Sequence, residues 1–427
     1  MEHSDYNAIL GEFSMLLAVV AFITASFRKS GMNPILGLFG AGMVLGPHGM
    51  QFLKYEGAVA FMADLGIMFL LFIVGLELSL DRIRAMAKYI FGLGTLHFVL
   101  SALGLGAALH FGVGLKPFSA GALGVALAMS STAFVLQLLS ERGKLASTGG
   151  RQTFSVLLLQ DLMVGPLLAV VPLIAVHRLA ATESHEVAMG LLPSAIAMIV
   201  VFVVAKLVLE QLLDAVRSAD RNDAAFPAAI LLAALAMGWV AVKLGMSPGL
   251  GAFLAGLALS GASWRHDVKA VIHPFEATLL AFFFIGIGTL VPISGNLQQI
   301  AWLVAAAAMI VTIKTVTGFA ACLLNGIGWR RSLRVGLYLA QGGEFAFILI
   351  AAIAGVGLLG KEASAFWTGA GVVSMAMTPF LVAFAERFRE PSEADCGKRD
   401  ANAAHDPEAA PCPEGPDDTL PQPIGAE

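Results

Sequence analysis

The sequence predicts an all-α polytopic membrane protein of thirteen transmembrane helices, folded as an inverted repeat with two discontinuous helices that cross. Three observations predict it. Hydrophobic residues make up 58% of the chain and charged residues only 13%, and apolar runs of about 20 residues, the length that spans a bilayer, recur from Ala8 to Phe388 with short polar breaks between them. Lysine and arginine gather in alternate breaks. The chain also resembles itself at a distance of 214 positions.

The runs are centred near residues 17, 40, 69, 98, 128, 163, 200, 233, 253, 282, 311, 344 and 374. The segment Met1–Asn7 lacks a basic region and no small-residue cleavage site follows the first run, so that run is read as a retained span, not a signal peptide. One alternate set of breaks holds seventeen basic residues, from Arg28 and Lys29 through Arg142, Lys144 and Arg151 to Arg387 and Arg389. The other set holds five, Lys54, Lys116, Arg178, Lys243 and Lys361. Positive charge marks the cytoplasmic face. The N-terminus is therefore expected outside and the C-terminus in the cytoplasm of a cell (inner) membrane.

The repeat is carried by Pro34 to Leu45, PILGLFGAGMVL, and Pro248 to Leu259, PGLGAFLAGLAL, which share seven of twelve residues at a shift of 214. An odd number of spans separates matching helices, which inverts one half relative to the other; the halves run over about 8–177 and 225–388. Transporters built as inverted repeats place their substrate near the midplane, between discontinuous helices. The same shift carries Ser130 onto Glu344. Both lie in polar interruptions of otherwise apolar spans: Met129, Ser130, Ser131 and Thr132 in the fifth, and Gln341, Gly342, Gly343 and Glu344 in the twelfth. Irregular backbone at membrane depth is tolerated only where it is enclosed by protein or lines a wet site, so both are candidate helix breaks.

Two further polar groups lie at the same depth. Asp161 follows Arg151 by ten residues, about 15 Å along a helix and half of a roughly 30 Å hydrocarbon core. Glu344 stands equally far from Arg334. A carboxylate at the midplane is costly and is kept mainly for function, as a carrier of a cation or a proton; the alternative is an ion pair that fixes helix packing. Gln160 beside it cannot titrate but can offer an oxygen. Lys314 sits mid-run in the eleventh span, either acting directly or as counter-charge to the carbonyl ends of the broken helices. For Glu344 the bland role, neutralising the N-terminal end of a half-helix, is favoured. His97 reads as a core histidine with its nitrogens bonded, and Glu77 and Glu276 as acids at helix ends.

The remainder of the composition narrows the field. Cys322, Cys396 and Cys412 have no metal-site or disulfide spacing. No cofactor is expected, the transported cation and H+ being substrates. Residues 389–427, acidic and holding seven of the eighteen prolines, are expected to be a disordered cytoplasmic tail after a membrane domain of 1–388. They contain no glycine-rich nucleotide fingerprint. The net charge of −4 arises largely there, which argues against a nucleic-acid partner.

MSSTAFVLQLLSERG, followed by GRQTFSVLLLQDLMVGPLLAVVPLIA, with SPGLGAFLAGLALSGASWRHDV and LAQGGEFAFIL, closely resembles the Kef-type branch of the monovalent cation:proton antiporter-2 family over about residues 8 to 388. The resemblance implies a thirteen-helix antiporter fold with crossing breaks in helices five and twelve, and a homodimer in the lipid bilayer. It assigns Asp161 as the ion- and proton-binding carboxylate, Gln160 as its partner, Lys314 as the membrane lysine, and Ser130, Ser131, Thr132, Gln341 and Glu344 to the crossover. Two features depart from the pattern. Kef-type proteins usually continue into a nucleotide-binding regulatory domain, which residues 389–427 do not resemble, so a separate regulatory subunit stays open. The twelfth-span motif reads QGGEF where the pattern resembles QGSEF.

The function expected on these grounds is antiport of K+ or Na+ against H+, electroneutral because Gln160 leaves one titratable group per cycle. A gated potassium efflux pathway and another ion-coupled carrier are the alternatives within transport. An intramembrane enzyme lacks a second midplane aspartate and any HExxH motif, and the chain is not expected to be an enzyme.

Overall fold

The structure is a computed structural model that describes residues 3–30, 34–47, 49–53, 58–77, 86–145, 147–179, 202–203, 205–219, 225–244, 246–262, 264–290 and 297–388. Regular structure among the described residues is entirely helical. Helices lie at the expected centres, except near residue 200, where most of the seventh span falls outside the described residues. The segment 389–427, expected as a disordered tail, also lies outside them.

The repeat reappears as an ordered series of elements. His3–Lys29, Pro34–Leu45, Ala58–Glu77, the run Lys88–Gly112 and the broken pair Pro117–Ala128 and Thr132–Glu141 are followed by Thr148–Leu179. Ala225–Lys243, Pro248–Leu259, Arg265–Leu290, Leu297–Leu324, the broken pair Trp329–Tyr338 and Glu344–Gly355, and the run Lys361–Phe388 follow in the same order. Pro34–Leu45 and Pro248–Leu259 begin and end 214 positions apart. A proline opens each. At the second, the Ser247 hydroxyl accepts from the Leu250 N–H at 3.3 Å, so a capping serine and a proline at the first helical position fix the start together.

The chain divides into two compact units. The first comprises residues 1–80, 162–300 and 348–369. Within it Ala58–Glu77 packs along Pro248–Leu259 and Arg265–Leu290. The first contact is backbone against backbone: a Cβ on Gly256 would lie 1.9 Å from the Phe72 carbonyl oxygen, and one on Gly75 would lie 2.2 Å from that of Phe253. Glycine at both places is what lets helices that bury no polar seam approach so closely. At one end of this unit Arg217 pairs with Asp267 at 2.7 Å and Lys269 with Glu77, both half-exposed pairs of small energetic weight. Glu77 thus has a partner at its helix end, whereas the side chain of Glu276 is outside the described residues.

The second unit comprises residues 81–161, 301–347 and 370–427 and carries both broken spans. Lys88–Gly112 opens and closes in π-helical turns, Lys88–Gly94 and Ala108–Gly112, and packs on Pro117–Ala128. Its apolar core includes Val135, Leu139, Val156, Leu157, Val335 and Leu339, drawn from the half-helix after the first interruption, from Thr148–Leu179 and from the chain that leads into the second interruption. This burial holds Thr132–Glu141 and Trp329–Tyr338, each ten residues long and too short to persist alone.

Candidate functional site at the crossing of two helix breaks

The fifth span stops being helical at Met129 and resumes at Thr132. Met129 and Ser131 are extended, with ψ of 137° and 112°. No glycine or proline forces this. Serines do it by offering the backbone alternative partners: the Ser131 hydroxyl caps the new helix, accepting from the Phe134 N–H at 3.4 Å. The twelfth span is interrupted from Leu339 to Gly343, and Glu344 is the first residue of the resumed helix. Both breaks lie where the sequence places them, except that Thr132 and Glu344 begin helices and do not belong to the irregular stretch.

The two breaks touch. The Ser130 hydroxyl donates to the Leu339 carbonyl at 2.9 Å. A Cβ on Gly343 would stand 2.4 Å from the Ser130 carbonyl carbon and 2.6 Å from its oxygen. Backbone cannot yield as a side chain can, so only glycine fits while the crossing keeps this geometry. Gly343→Ser is therefore expected to push the breaks apart and lower exchange by at least about tenfold, the scale on which sub-ångström misplacement acts. Gly40→Ala, with nothing within 4 Å of the new Cβ, should leave it unchanged. Initial rates of both variants in reconstituted vesicles check this.

Lys314, fully buried, lies at the centre of the crossing. Its Nζ donates to the Met129 carbonyl at 2.8 Å, the Ser130 hydroxyl at 2.9 Å and the Gln341 carbonyl at 2.6 Å. An ammonium has three donors, and all three are engaged. Two of the acceptors are carbonyls that the helix interruptions leave without helical partners, where partial negative charge collects. Of the two roles open for Lys314 from the sequence, the geometry is that of the counter-charge. Beside it the Ser101 and Thr317 hydroxyls meet at 2.8 Å.

Gln160, also fully buried, uses both ends of its carboxamide on the same break. Its Oε1 accepts from the Ser130 N–H at 2.8 Å and its Nε2 donates to the Ala128 carbonyl at 3.3 Å. The oxygen that the sequence offers to an ion is engaged with backbone. Asp161, by contrast, is partly exposed, and its Oδ1 accepts from the Thr132 hydroxyl at 2.9 Å. Adjacent residues on one helix therefore divide the work: Gln160 holds the break and Asp161 presents a carboxylate at its rim.

Gln341 is fully buried, and its carbonyl contributes to the lysine cradle. Glu344, 6% exposed, stands in the first turn of its helix, where a negative charge complements the N-terminal end of the dipole. His97 is buried as expected, but neither of its ring nitrogens has a hydrogen-bond partner among the described residues, so it is not the satisfied core histidine of the sequence reading. Arg151 and Arg334, which served as surface markers for depth, are 9% and 0% exposed. Arg334 is enclosed in the middle of its half-helix, near the Tyr338 hydroxyl, which donates to Glu386 at 2.6 Å.

One group at the site escaped the sequence reading. The Ser374 hydroxyl accepts from the Gly342 N–H at 3.0 Å and donates to the Gly371 carbonyl at 2.6 Å. The signal for it was present, since Ser374 stands 214 positions after Gln160. The next position, Asp161 in the first half, is Met375 in the second, and Leu100 stands where the second half has Lys314. Neither half duplicates the other's charge.

Known proteins share both the sequence and the architecture. Over 388 residues the chain is 35% identical to K(+) efflux antiporter 1, chloroplastic, of Arabidopsis thaliana, covering 90% of this chain and 32% of that protein. K(+) efflux antiporter 2, chloroplastic, of the same plant is 34% identical over 386 residues, 89% of this chain and 33% of that protein. The chain thus spans about one third of the length of these curated relatives. Among solved structures, that of the sodium proton antiporter MjNhaP1 from Methanocaldococcus jannaschii at pH 8 superimposes with a TM-score of 0.67 at 16% identity, covering 89% of this chain and 98% of that one. The fold is that of a sodium/proton antiporter. Residues 15–385 match the family described as sodium/hydrogen exchanger, transmembrane, and the chain belongs to that family of multi-pass membrane transporters.

Proposed function

We propose that the chain exchanges a monovalent cation, K+ or Na+, for H+ by alternating access around Asp161. The observation that carries this reading is the placement of that carboxylate, partly exposed and bonded to Thr132 at the rim of a crossing where Lys314 and Gln160 are spent on the interrupted backbones. A carboxylate there can hold either a proton or a cation but not both, and this competition couples the two fluxes. The relatives named as potassium efflux antiporters favour K+, and the sodium proton antiporter sharing the fold keeps Na+ in view. Gln160 adds no charge, so one cation moves for one proton. The chain acts as a homodimer in a cell membrane, with its N-terminus outside on the strength of the seventeen-to-five distribution of basic residues.

The test is a pH gradient held across everted vesicles or proteoliposomes carrying the protein. Addition of K+ or Na+ should dissipate the gradient, at a rate that does not change when a membrane potential is imposed. A potential-dependent rate would replace one-for-one exchange with an electrogenic stoichiometry. Cation flux without proton movement would replace antiport with a gated efflux pathway.

A further inference from the structure

The hydrogen bonds at the two breaks follow a single plan. Met129 C=O and Ser130 N–H belong to one planar peptide group; Lys314 Nζ bonds its oxygen at 2.8 Å and Gln160 Oε1 takes its N–H at 2.8 Å. Gln341 C=O and Gly342 N–H likewise belong to one peptide group; Lys314 Nζ bonds its oxygen at 2.6 Å and Ser374 Oγ takes its N–H at 3.0 Å. One ammonium thus grips two peptides by their oxygens, and two side chains 214 positions apart hold the opposite ends. Each grip strengthens the other, because a cation on a carbonyl oxygen polarises the peptide and makes its N–H a better donor.

We propose that Ser374 is a positioning residue for exchange, fixing the Gln341–Gly342 peptide on Lys314 as Gln160 fixes the Met129–Ser130 peptide. Its hydroxyl bonds the Gly342 N–H and the Gly371 carbonyl, and it acts through the peptide and the lysine. Its hydroxyl hydrogen is committed to the Gly371 carbonyl at 2.6 Å within its own helix, which aims a lone pair at Gly342. The hydroxyl is therefore oriented before the break is engaged. Gly371, one turn earlier, packs its Cα face against Phe347, whose ring carbon would meet a Cβ there at 2.8 Å, so the helix bearing Ser374 is held close to the resumed half of span twelve. The inference rests on the antiport reading for its transport consequence but not for the clamp itself.

Two measurements test it. In proteoliposomes, Ser374→Ala should lower the maximal exchange rate about tenfold, in keeping with the loss of one buried hydrogen bond from the assembled site. The apparent cation KM should stay within about twofold, because Asp161 and Thr132 are untouched. Ser374→Thr, which keeps the hydroxyl, should recover most of the rate even though it adds bulk to a fully buried position, whereas a packing role would rank threonine below alanine. Amide hydrogen exchange at Gly342 should accelerate in Ser374→Ala and return towards the original rate in Ser374→Thr; this readout holds whether or not the chain exchanges ions. Wild-type rates in Ser374→Ala, a threonine variant no better than alanine, or unchanged protection at Gly342 would each overturn the proposal. If the unsubstituted chain dissipates no pH gradient while Gly342 behaves as described, the antiport reading fails and the clamp stands.

Discussion

Asp161→Asn is expected to abolish cation-driven dissipation of a pH gradient while leaving the protein folded. Asparagine keeps the size of the side chain and an Oδ1 able to accept from the Thr132 hydroxyl, the 2.9 Å bond that anchors the carboxylate. It removes only the charge and the capacity to titrate. Because Asp161 is partly exposed, the neutral side chain meets no large burial penalty and the melting midpoint should change little. Exchange should fall by at least about a hundredfold, since the competition between proton and cation is assigned to this carboxylate. Asp161→Glu should retain a fraction of the activity with the cation affinity altered. Full exchange by Asp161→Asn, measured beside a matched melting curve, would remove Asp161 from the mechanism.

Lys314→Met should have the opposite profile, with loss of stability leading loss of function. Methionine fills the space but leaves the Met129 carbonyl, the Ser130 hydroxyl and the Gln341 carbonyl without their common donor. Each bond to a charged donor is worth about 1.5–3 kcal/mol and the three do not add independently, so a total near 3 kcal/mol is expected. That corresponds to a melting midpoint lower by about 5 °C or more, scaled from smaller domains. Lys314→Arg should not restore it, because a planar guanidinium cannot place three donors on acceptors that converge from two backbones and a hydroxyl. Thermal scans at one rate in detergent, with exchange measured on the folded fraction, separate the two losses. If Lys314→Met melts with the unsubstituted protein, the lysine does not hold the breaks together.

Much of this site could be read from the sequence because it consists of exceptions to a simple rule. In a chain that must be apolar at membrane depth, Asp161, Lys314 and the paired interruptions around Ser130 and Gly342 stand out by their chemistry alone, and loop charges with helical rise put them at one level. The fold was readable for a related reason, since the bilayer fixes span length and a 214-residue shift repeats the same elements. What the sequence did not disclose is who bonds to whom. Gln160 looked like an ion ligand because an amide beside a carboxylate suggests one; its role followed only from the direction of its side chain, towards the Ser130 N–H and Ala128 carbonyl. Ser374 was missed because one serine in an apolar helix is ordinary, and its hydroxyl matters only through the peptide it faces. Gly343 read only as a departure from the resembled motif, whereas the space a side chain would need belongs to the backbone of Ser130. Arg334 read as a surface residue because burial of so large a cation depends on neighbours that spacing does not reveal.

The exchange of Asp161 for Met375 and of Leu100 for Lys314 across the repeat constrains how such a protein could have arisen. A chain assembled from two copies of the first half would carry two such aspartates and no lysine to gather the interrupted backbones; two copies of the second would carry two such lysines and no aspartate at this position. The first would keep an acid without its scaffold, the second would place like charges where one ammonium suffices. Neither symmetric ancestor holds what the present molecule divides between its halves. At these two pairs of positions the halves are complements, one supplying the aspartate and the other the lysine.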